Sequence, residues 1–307
     1  MKDNGQTSKN AAGSPQHTRR GLGMVIAGGG TGGHLFPGIA VAEEFLRRDP
    51  GNRILFIGTE RGLEKRILGT LGFPLRTIPT EGLKGRGALR AAGALGKIPA
   101  GLFASFRILR AFRPAIVLGV GGYASGPTVL AARFMGMATA IAEQNAFPGL
   151  TNRMLGRFTD RIFLSFAASQ RWFPARRTQI TGNPIRAAFL AGKAPEERRD
   201  PRFTVLIFGG SQGAHAINRF VCEALDDLRH VQDRFRFIHQ AGETDREVVA
   251  AAYREGGFAA EVSPFIMDMA VAYRAADLLI CRAGATSIGD HRRREGGHPD
   301  PLPLRRR

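Results

Sequence analysis

Two series of short apolar runs, each run separated from the next by a helical pattern, restrict this chain to an α/β architecture. From Met24 the runs "MVIAGG", "RILFIG", "AIVLGVGG", "ATAIAE" and "RIFLSF" alternate with longer stretches such as "LFPGIAVAEEFLRR" and "GLEKRILGTLG". Runs that are apolar on both faces and separated by helices belong to a parallel sheet covered on both sides. The rhythm breaks at "AGKAPEERRDPR", a charged segment with two prolines that reads as a linker. It then restarts: "FTVLIFGG" is a strand, "SQGAHAINRFVCEALDDL" a helix, "FRFIHQAG" a strand, "TDREVVAAAYREGG" a helix and "DLLICRAG" a strand. The expected organisation is a leader over 1–23, an α/β domain over 24–186, a linker over 187–202, a second α/β domain over 203–289 and a basic tail over 290–307.

A chain of 307 residues with 43% hydrophobic content can build two cores. Cys222 and Cys281 both fall in apolar segments, which suits small buried hydrophobes rather than a disulfide framework. Lys and Arg number 44 against 26 Asp and Glu, a net charge of +18 that favours anionic partners without choosing among nucleic acid, acidic lipid and phosphorylated substrates. Residues 1–23 hold no continuous apolar core of the kind a secretory signal needs. No run reaches the length of a bilayer span, since "ALRAAGALGKIPAGLFASFRIL" is broken by Lys97, Pro99 and glycines, so any membrane contact is peripheral.

The chemistry concentrates in glycine loops. In "IAGGGTGGHLFPGIA", Gly28, Gly30 and Gly33 satisfy G-x-G-x-x-G between a strand and a helix, where bare N–H groups at a helix N-terminus meet a phosphate. Taken alone, the motif also fits a dinucleotide-dependent oxidoreductase with Glu60 as the ribose-binding acid. Two features count against that. His34 opens the helix where it can take a proton from an acceptor hydroxyl, and two further loops follow, "GVGGYASGP" at 119–127 and "FGGSQGA" at 208–214. Two substrates held between two nucleotide-binding-like halves need several such loops. Ser211 and Gln212 read either as a helix cap or as diphosphate ligands. Asn145 reads as a ligand contact or as turn chemistry, and Arg186 as a linker charge or a diphosphate clamp.

In order along the chain, "GGGTGGHLFPGIAVAEE", "GVGGYASGP", "AEQNAFPGLTN", "TGNPIR", "FGGSQGAHAIN" and "ICRAGATSIG" resemble the peptidoglycan N-acetylglucosaminyltransferases. Those enzymes move N-acetylglucosamine from its UDP sugar onto lipid I, undecaprenyl-pyrophosphoryl-N-acetylmuramyl-pentapeptide, to form lipid II for the cell wall. The resemblance covers residues 24 to about 289 and implies two Rossmann-like domains in the glycosyltransferase-B architecture. It further implies an inverting reaction with no cofactor or metal, at the cytoplasmic face of the inner membrane and with no nucleic-acid partner. Carried over by motif, Thr31, Gly32 and Gly33 approach the donor, His34 is the acceptor-side base and Asn145 contacts the donor sugar. Arg186, Ser211, Ile266, Ala285, Thr286, Ser287, Ile288 and Gly289 lie along the donor site. An anionic membrane surface is the expected partner of "GLKGRGALRAAGALGKIPAGLFASFRILR", where Lys84, Arg86, Arg90 and Lys97 mix with Leu95, Ile98, Leu102 and Phe103. An ordinary amphipathic helix on the sheet is the alternative.

The match departs at two places. Ala142 stands where relatives often carry histidine. After "CRAGATSIG" the family places a glutamate for the donor ribose and continues through at least two more βα units, about 60 residues. Here Asp290 takes the glutamate position and "HRRREGGHPDPLPLRRR" follows. That run cannot form a strand, so the second domain reads as incomplete and the tail as translation in a shifted frame, with a natural basic tail on a shortened domain as the alternative. On the incomplete-domain reading the donor site is lost and the chain is a non-catalytic, membrane-binding remnant.

Overall fold

The computed structural model describes residues 21–29, 32–59, 63–80, 88–190, 200–282 and 284. The leader up to residue 20, most of the linker, Glu60 and the tail lie outside the described residues, as do Thr31 and residues 285–290. The first unit runs β1 (Gly23–Gly28), α1 (Gly32–Arg48), β2 (Arg53–Gly58), α2 (Leu63–Thr70), β3 (Leu75–Thr77), α3 (Ala88–Phe112), β4 (Ile116–Gly121), α4 (Ser125–Phe134), β5 (Ala138–Glu143), α5 (Leu150–Leu155), β6 (Arg161–Leu164) and β7 (Thr178–Ile180). A helical turn, α6 (Ala187–Leu190), precedes the second unit: β8 (Phe203–Phe208), α7 (His215–Leu228), β9 (Phe235–Gln240), α8 (Arg246–Glu255), β10 (Ala259–Ser263), α9 (Met269–Ala275) and β11 (Leu278–Cys281).

Among the described residues the strands form two sheets, ordered β3-β2-β1-β4-β5-β6-β7 and β10-β9-β8-β11. Every pairing is parallel. In each sheet the strand order reverses beside the first strand, between β1 and β4 and between β8 and β11. Such reversals open a crevice at the carboxyl ends of the strands, where ligands bind in open α/β sheets.

Alternate residues of the strands feed two cores. Val25 and Ala27 join Leu109 of α3, Val129 of α4 and Leu155 of α5 on one face. Ile26 joins Leu35 and Ile39 of α1 and Ile67 and Leu68 of α2 on the other. The second unit repeats the arrangement, with Val205 and Ile207 against α7 and α8 and with Leu206 and Phe208 against α9 and Phe189. Both faces of the first sheet, and of β8 and β9 in the second, are therefore covered, whereas the apolar run of β11, at the edge of the second sheet among the described residues, leaves Leu278 and Ile280 exposed.

Several details depart from the sequence reading. The three-residue strands β3 and β7, and β10, fall in segments without a strong apolar run. Leu22, assigned to the leader, is tied to the domain by a hydrogen bond from its amide to Asn52 Oδ1 at 2.8 Å. The linker's first residues form α6. Helix α7 begins at His215, four residues later than expected, and its N-cap is Ala214 with no side-chain cap, so Ser211 and Gln212 belong to the loop. Cys222 and Cys281 are half-buried free thiols rather than fully buried ones.

The second unit holds a fully buried histidine. The Tyr253 hydroxyl donates to His239 Nδ1 (3.1 Å) and His239 Nε2 donates to Asn218 Oδ1 (3.0 Å). The Asn218 amide then donates to the Ala241 carbonyl (2.7 Å) and to Asp245 (2.8 Å). Because Asn Oδ1 can only accept, this chain of bonds fixes the neutral tautomer with hydrogen on Nε2. Burial disfavours the imidazolium and lowers the His239 pKa from 6.5 to about 4. The unfolded imidazole thus takes up a proton near pH 6.5 and the folded one only near 4. The stability contributed by keeping His239 neutral is complete above pH 6.5 and is lost as pH falls towards 4, about 3 kcal/mol in all. Thermal unfolding at pH 7.5 and pH 4.5 checks this: the acid-induced drop in Tm should be smaller in His239→Gln than in the wild type, and equal drops would overturn it.

Candidate functional site

The first crevice is built by backbone contact. At the end of β1 the register with β4 shifts, so that Ala27 faces Gly119 but Gly28 faces Gly121. The Gly29 amide donates to the Gly121 carbonyl at 3.3 Å. Gly121 has φ +97°, and a Cβ there would lie 2.8 Å from His34 Nδ1. Conformation and contact both demand glycine at this position. Helix α1 starts at Gly32, so His34 stands in its first turn with the imidazole over the Gly121 backbone.

A third segment completes this arrangement. His34 Nδ1 lies 3.3 Å from Gln144 Oε1, while Gln144 Nε2 points at the Ala142 carbonyl, 3.4 Å away. With the amide so oriented, Oε1 accepts and Nδ1 carries the hydrogen, which leaves His34 Nε2 with a free lone pair for a substrate proton. Gln144 is buried. It escaped the sequence reading, which singled out its neighbour Asn145 in "AEQN"; the signal available was only adjacency.

Glu143 organises the loop that carries both. Its carboxylate is buried and accepts from the Asn145 amide (2.9 Å), Asn145 Nδ2 (3.0 Å), the Gly149 amide (3.1 Å) and Asn152 Nδ2 (3.0 Å). Asn145 therefore projects at the surface from a loop pinned by one acid.

The second crevice repeats the pattern at β8. The loop Gly209–Ala214 turns at Gly210, whose carbonyl accepts from the Gly213 amide at 3.0 Å. Arg282, directly after β11, donates to the Gly213 carbonyl at 3.3 Å, which ties the two strands flanking the reversal. Ser211 lies in this turn, and Ile266 follows β10 with its amide bonded to Gln240 Oε1 at 2.9 Å.

The two crevices face each other. A Cβ built on Gly32 would lie 3.6 Å from Ser211 Cβ. The Arg186 guanidinium sits 4.6 Å over the ring of Phe36 in α1 and 5.0 Å over that of Phe189, an arrangement that restricts a cation at the join. Arg66 of α2 lies 3.6 Å from the carboxylate of Glu243 and 5.2 Å over the Phe265 ring. The structure thus places Gly32, Gly33 and His34 in the first turn of α1 and Asn145, Arg186, Ser211 and Ile266 in the segments that follow β5, β7, β8 and β10, with Gly32 close to Ser211 and Arg186 over Phe36. Thr31, Ala285, Thr286, Ser287, Ile288, Gly289 and Asp290 lie outside the described residues.

Chemically, the cleft offers an imidazole with one free nitrogen and two glycine loops at the carboxyl ends of parallel strands. One loop runs into the N-terminus of the 17-residue α1 and the other into the 14-residue α7. Helix N-termini and exposed amides stabilise an anionic group.

The sequence matches the glycosyltransferase family 28 N-terminal domain over residues 24–164 and the family 28 C-terminal domain over 204–292. A protein of Syntrophus aciditrophicus named UDP-N-acetylglucosamine-N-acetylmuramyl-(pentapeptide) pyrophosphoryl-undecaprenol N-acetylglucosamine transferase is 60% identical, over 87% of this chain and 74% of its own. A protein of the same name from Geobacter metallireducens is 53% identical over the same shares. The crystal structure of Acinetobacter baumannii MurG superposes with a TM-score of 0.58 at 33% identity, over 87% of this chain and 73% of that one. UDP-GlcNAc 2-epimerase from Neisseria meningitidis shares the fold with a TM-score of 0.58 at 11% identity, over 86% of this chain and 78% of its own.

Replacing the loop's buried acid tests the described geometry. Glu143→Ala leaves the Asn145 and Gly149 amides without their acceptor, and two lost hydrogen bonds to a charged group cost about 2–4 kcal/mol together. The Tm should fall accordingly and hydrogen exchange over 144–149 should accelerate. A variant as stable and as protected as the wild type would show that the loop is held by something else.

Proposed function

The chain belongs to glycosyltransferase family 28, and on that premise we propose that it transfers N-acetylglucosamine from UDP-N-acetylglucosamine to the lipid-linked acceptor named in its relatives, N-acetylmuramyl-(pentapeptide) pyrophosphoryl-undecaprenol. The observation that carries this reading is the convergence of three N-terminal loops on His34, opposite a glycine loop of the second sheet. The alternative of a nicotinamide oxidoreductase is displaced by the family match, and Glu60, its proposed ribose ligand, lies outside the described residues.

In this reading the acceptor hydroxyl attacks the anomeric carbon of the donor while the bond from that carbon to the UDP oxygen breaks. The electron pair leaves with the diphosphate. His34 Nε2 takes the hydroxyl proton, with Gln144 holding the ring in the required tautomer. Amides of the Gly209–Ala214 loop, with the α7 N-terminus behind them, receive the charge that develops on the diphosphate. Arg186, held by two aromatic rings, and Ile266 flank the donor, and Asn145 reaches its sugar. Gly32 and Gly33 leave room for the two substrates to meet beside the base.

The acceptor is a lipid, and the first domain carries a surface suited to a bilayer. Helices α3, α4 and α5 share one face of the first sheet. From Ala88 to Phe158 the sequence holds eight Lys or Arg and a single acid, Glu143, which is buried. On this layer Ile98, Phe103, Phe106, Phe134, Leu150 and Met154 are exposed. Leu102, counted from sequence among the exposed apolar residues, instead packs towards the core; Lys84 and Arg86, and the side chains of Arg90, Leu95 and Lys97, lie outside the described residues. No helix among the described residues is long and apolar enough to cross a membrane. Exposed apolar side chains among cations attach a protein peripherally to anionic lipid, and the cytoplasmic face of the inner membrane is the surface this reading assigns.

Two measurements test these roles. His34→Ala should lower turnover by about 10²–10⁴, with binding of UDP-N-acetylglucosamine little changed; an unchanged rate would remove His34 from the proton transfer. The protein should also sediment with anionic vesicles, less so as salt rises and poorly with neutral ones. Equal, salt-insensitive binding to both would overturn the membrane assignment, and Phe103→Ser with Phe134→Ser should weaken it.

A further inference from the structure

We propose that Gln240 is a positioning residue for the nucleotide-sugar site: one buried amide that sets the spacing between the Gly210–Gly213 turn and Ile266. The inference rests on the donor-side reading of Ser211 and Ile266 given above.

Gln240 ends β9, the strand that lies between β8 and β10, and faces Phe208 on one side and Ser263 on the other. Beyond those residues the ladder stops and each neighbouring strand runs into its own loop. The Gln240 side chain, 1% exposed, bridges that gap. Its Nε2 donates to the Gly210 carbonyl at 2.7 Å and its Oε1 accepts from the Ile266 amide at 2.9 Å. The Gly210 carbonyl also receives the Gly213 amide that closes the turn around Ser211 and Gln212. One planar group therefore fixes the carbonyl on which the first loop folds and the amide from which the second departs.

The surroundings leave Gln240 little freedom. The next residue, Ala241, is buried, and its carbonyl is held by Asn218. Gly213 and Gly242 approach the Ala241 and Gln212 backbones so closely that a Cβ on either would collide. The task needs a donor and an acceptor at the end of a two-methylene side chain. Ionised glutamate offers two acceptors and repels the Gly210 carbonyl, methionine offers neither group, and asparagine is one carbon short. Protonated glutamic acid alone restores both bonds, its hydroxyl donating to Gly210 and its carbonyl accepting from Ile266.

The test uses the full chain and UDP as probe, with titration calorimetry and amide hydrogen exchange as readouts. Gln240→Met should weaken UDP binding about ten-fold or more and accelerate exchange at Ile266, the scale expected when buried hydrogen-bonding groups lose their partners. In Gln240→Glu, burial raises the carboxyl pKa, so affinity relative to wild type at the same pH should approach that of the wild type near pH 5 and be lost near pH 8. This comparison is made within one polypeptide, so it stands even if the methionine variant fails to fold. Two-fold or smaller changes in both variants, with Ile266 exchange accelerated in Gln240→Met, would overturn the inference while leaving the donor site in place. Wild-type protein that protects Ile266 but does not bind UDP would instead overturn the donor-site reading, and the positioning role with it.

Discussion

The structure depends on how closely two backbones approach at the β1–β4 reversal. Gly29 bonds to Gly121 directly, and His34 occupies the space where a side chain on Gly121 would be. Were a side chain present, β1 and β4 would have to separate or the imidazole would have to leave, and either change reaches His34 and the first turn of α1 together. Gly29 in "GGGTGGH" and Gly121 in "GVGG" are thus two halves of one contact, although about 90 residues separate them in sequence. The strand order β3-β2-β1-β4 puts them side by side.

Around that contact, single buried polar side chains do what the ladders cannot. Past the ends of the strands, loop backbones need partners or the cost of burying them rises. Glu143 supplies four bonds in the first unit, and Asn218 with Gln240 supplies the corresponding ones in the second. These residues touch no substrate in the proposed reaction, yet they determine where the exposed ones stand.

Much of this was legible in the sequence, for a physical reason. Strands buried on both faces leave long apolar runs, so β1, β2, β4, β5, β6, β8 and β9 stood out, as did β11 by its apolar run although it is half-exposed, whereas β3, β7 and β10 are short or half-exposed and left none. Glycine loops after such strands also marked His34 and Ser211, and a place in the loop after a strand marked Asn145. The start of α7 was misplaced because Ser-Gln-Gly resembles a cap, and only the positive φ of Gly210 and Gly213 makes the turn visible. Gln144 and Gln240 were invisible because an amide in a strand-end tripeptide has no signature until the neighbouring loops are in place. Leu102 was read as exposed since a helix with aliphatic residues on several sides does not declare which of them faces the sheet.

The layer formed by α3, α4 and α5 has one more consequence. It shares a core with the strands whose ends carry the 119–122 and 144–149 loops, so the imidazole stands at a fixed height above that layer. A lipid-borne acceptor explores a plane, while a nucleotide sugar explores a volume. With this face resting on the bilayer, the base would be held at one altitude over the plane, and the search for the acceptor becomes lateral diffusion to a point already at the right height. The second sheet, on the far side of the cleft, is left to sample the aqueous phase.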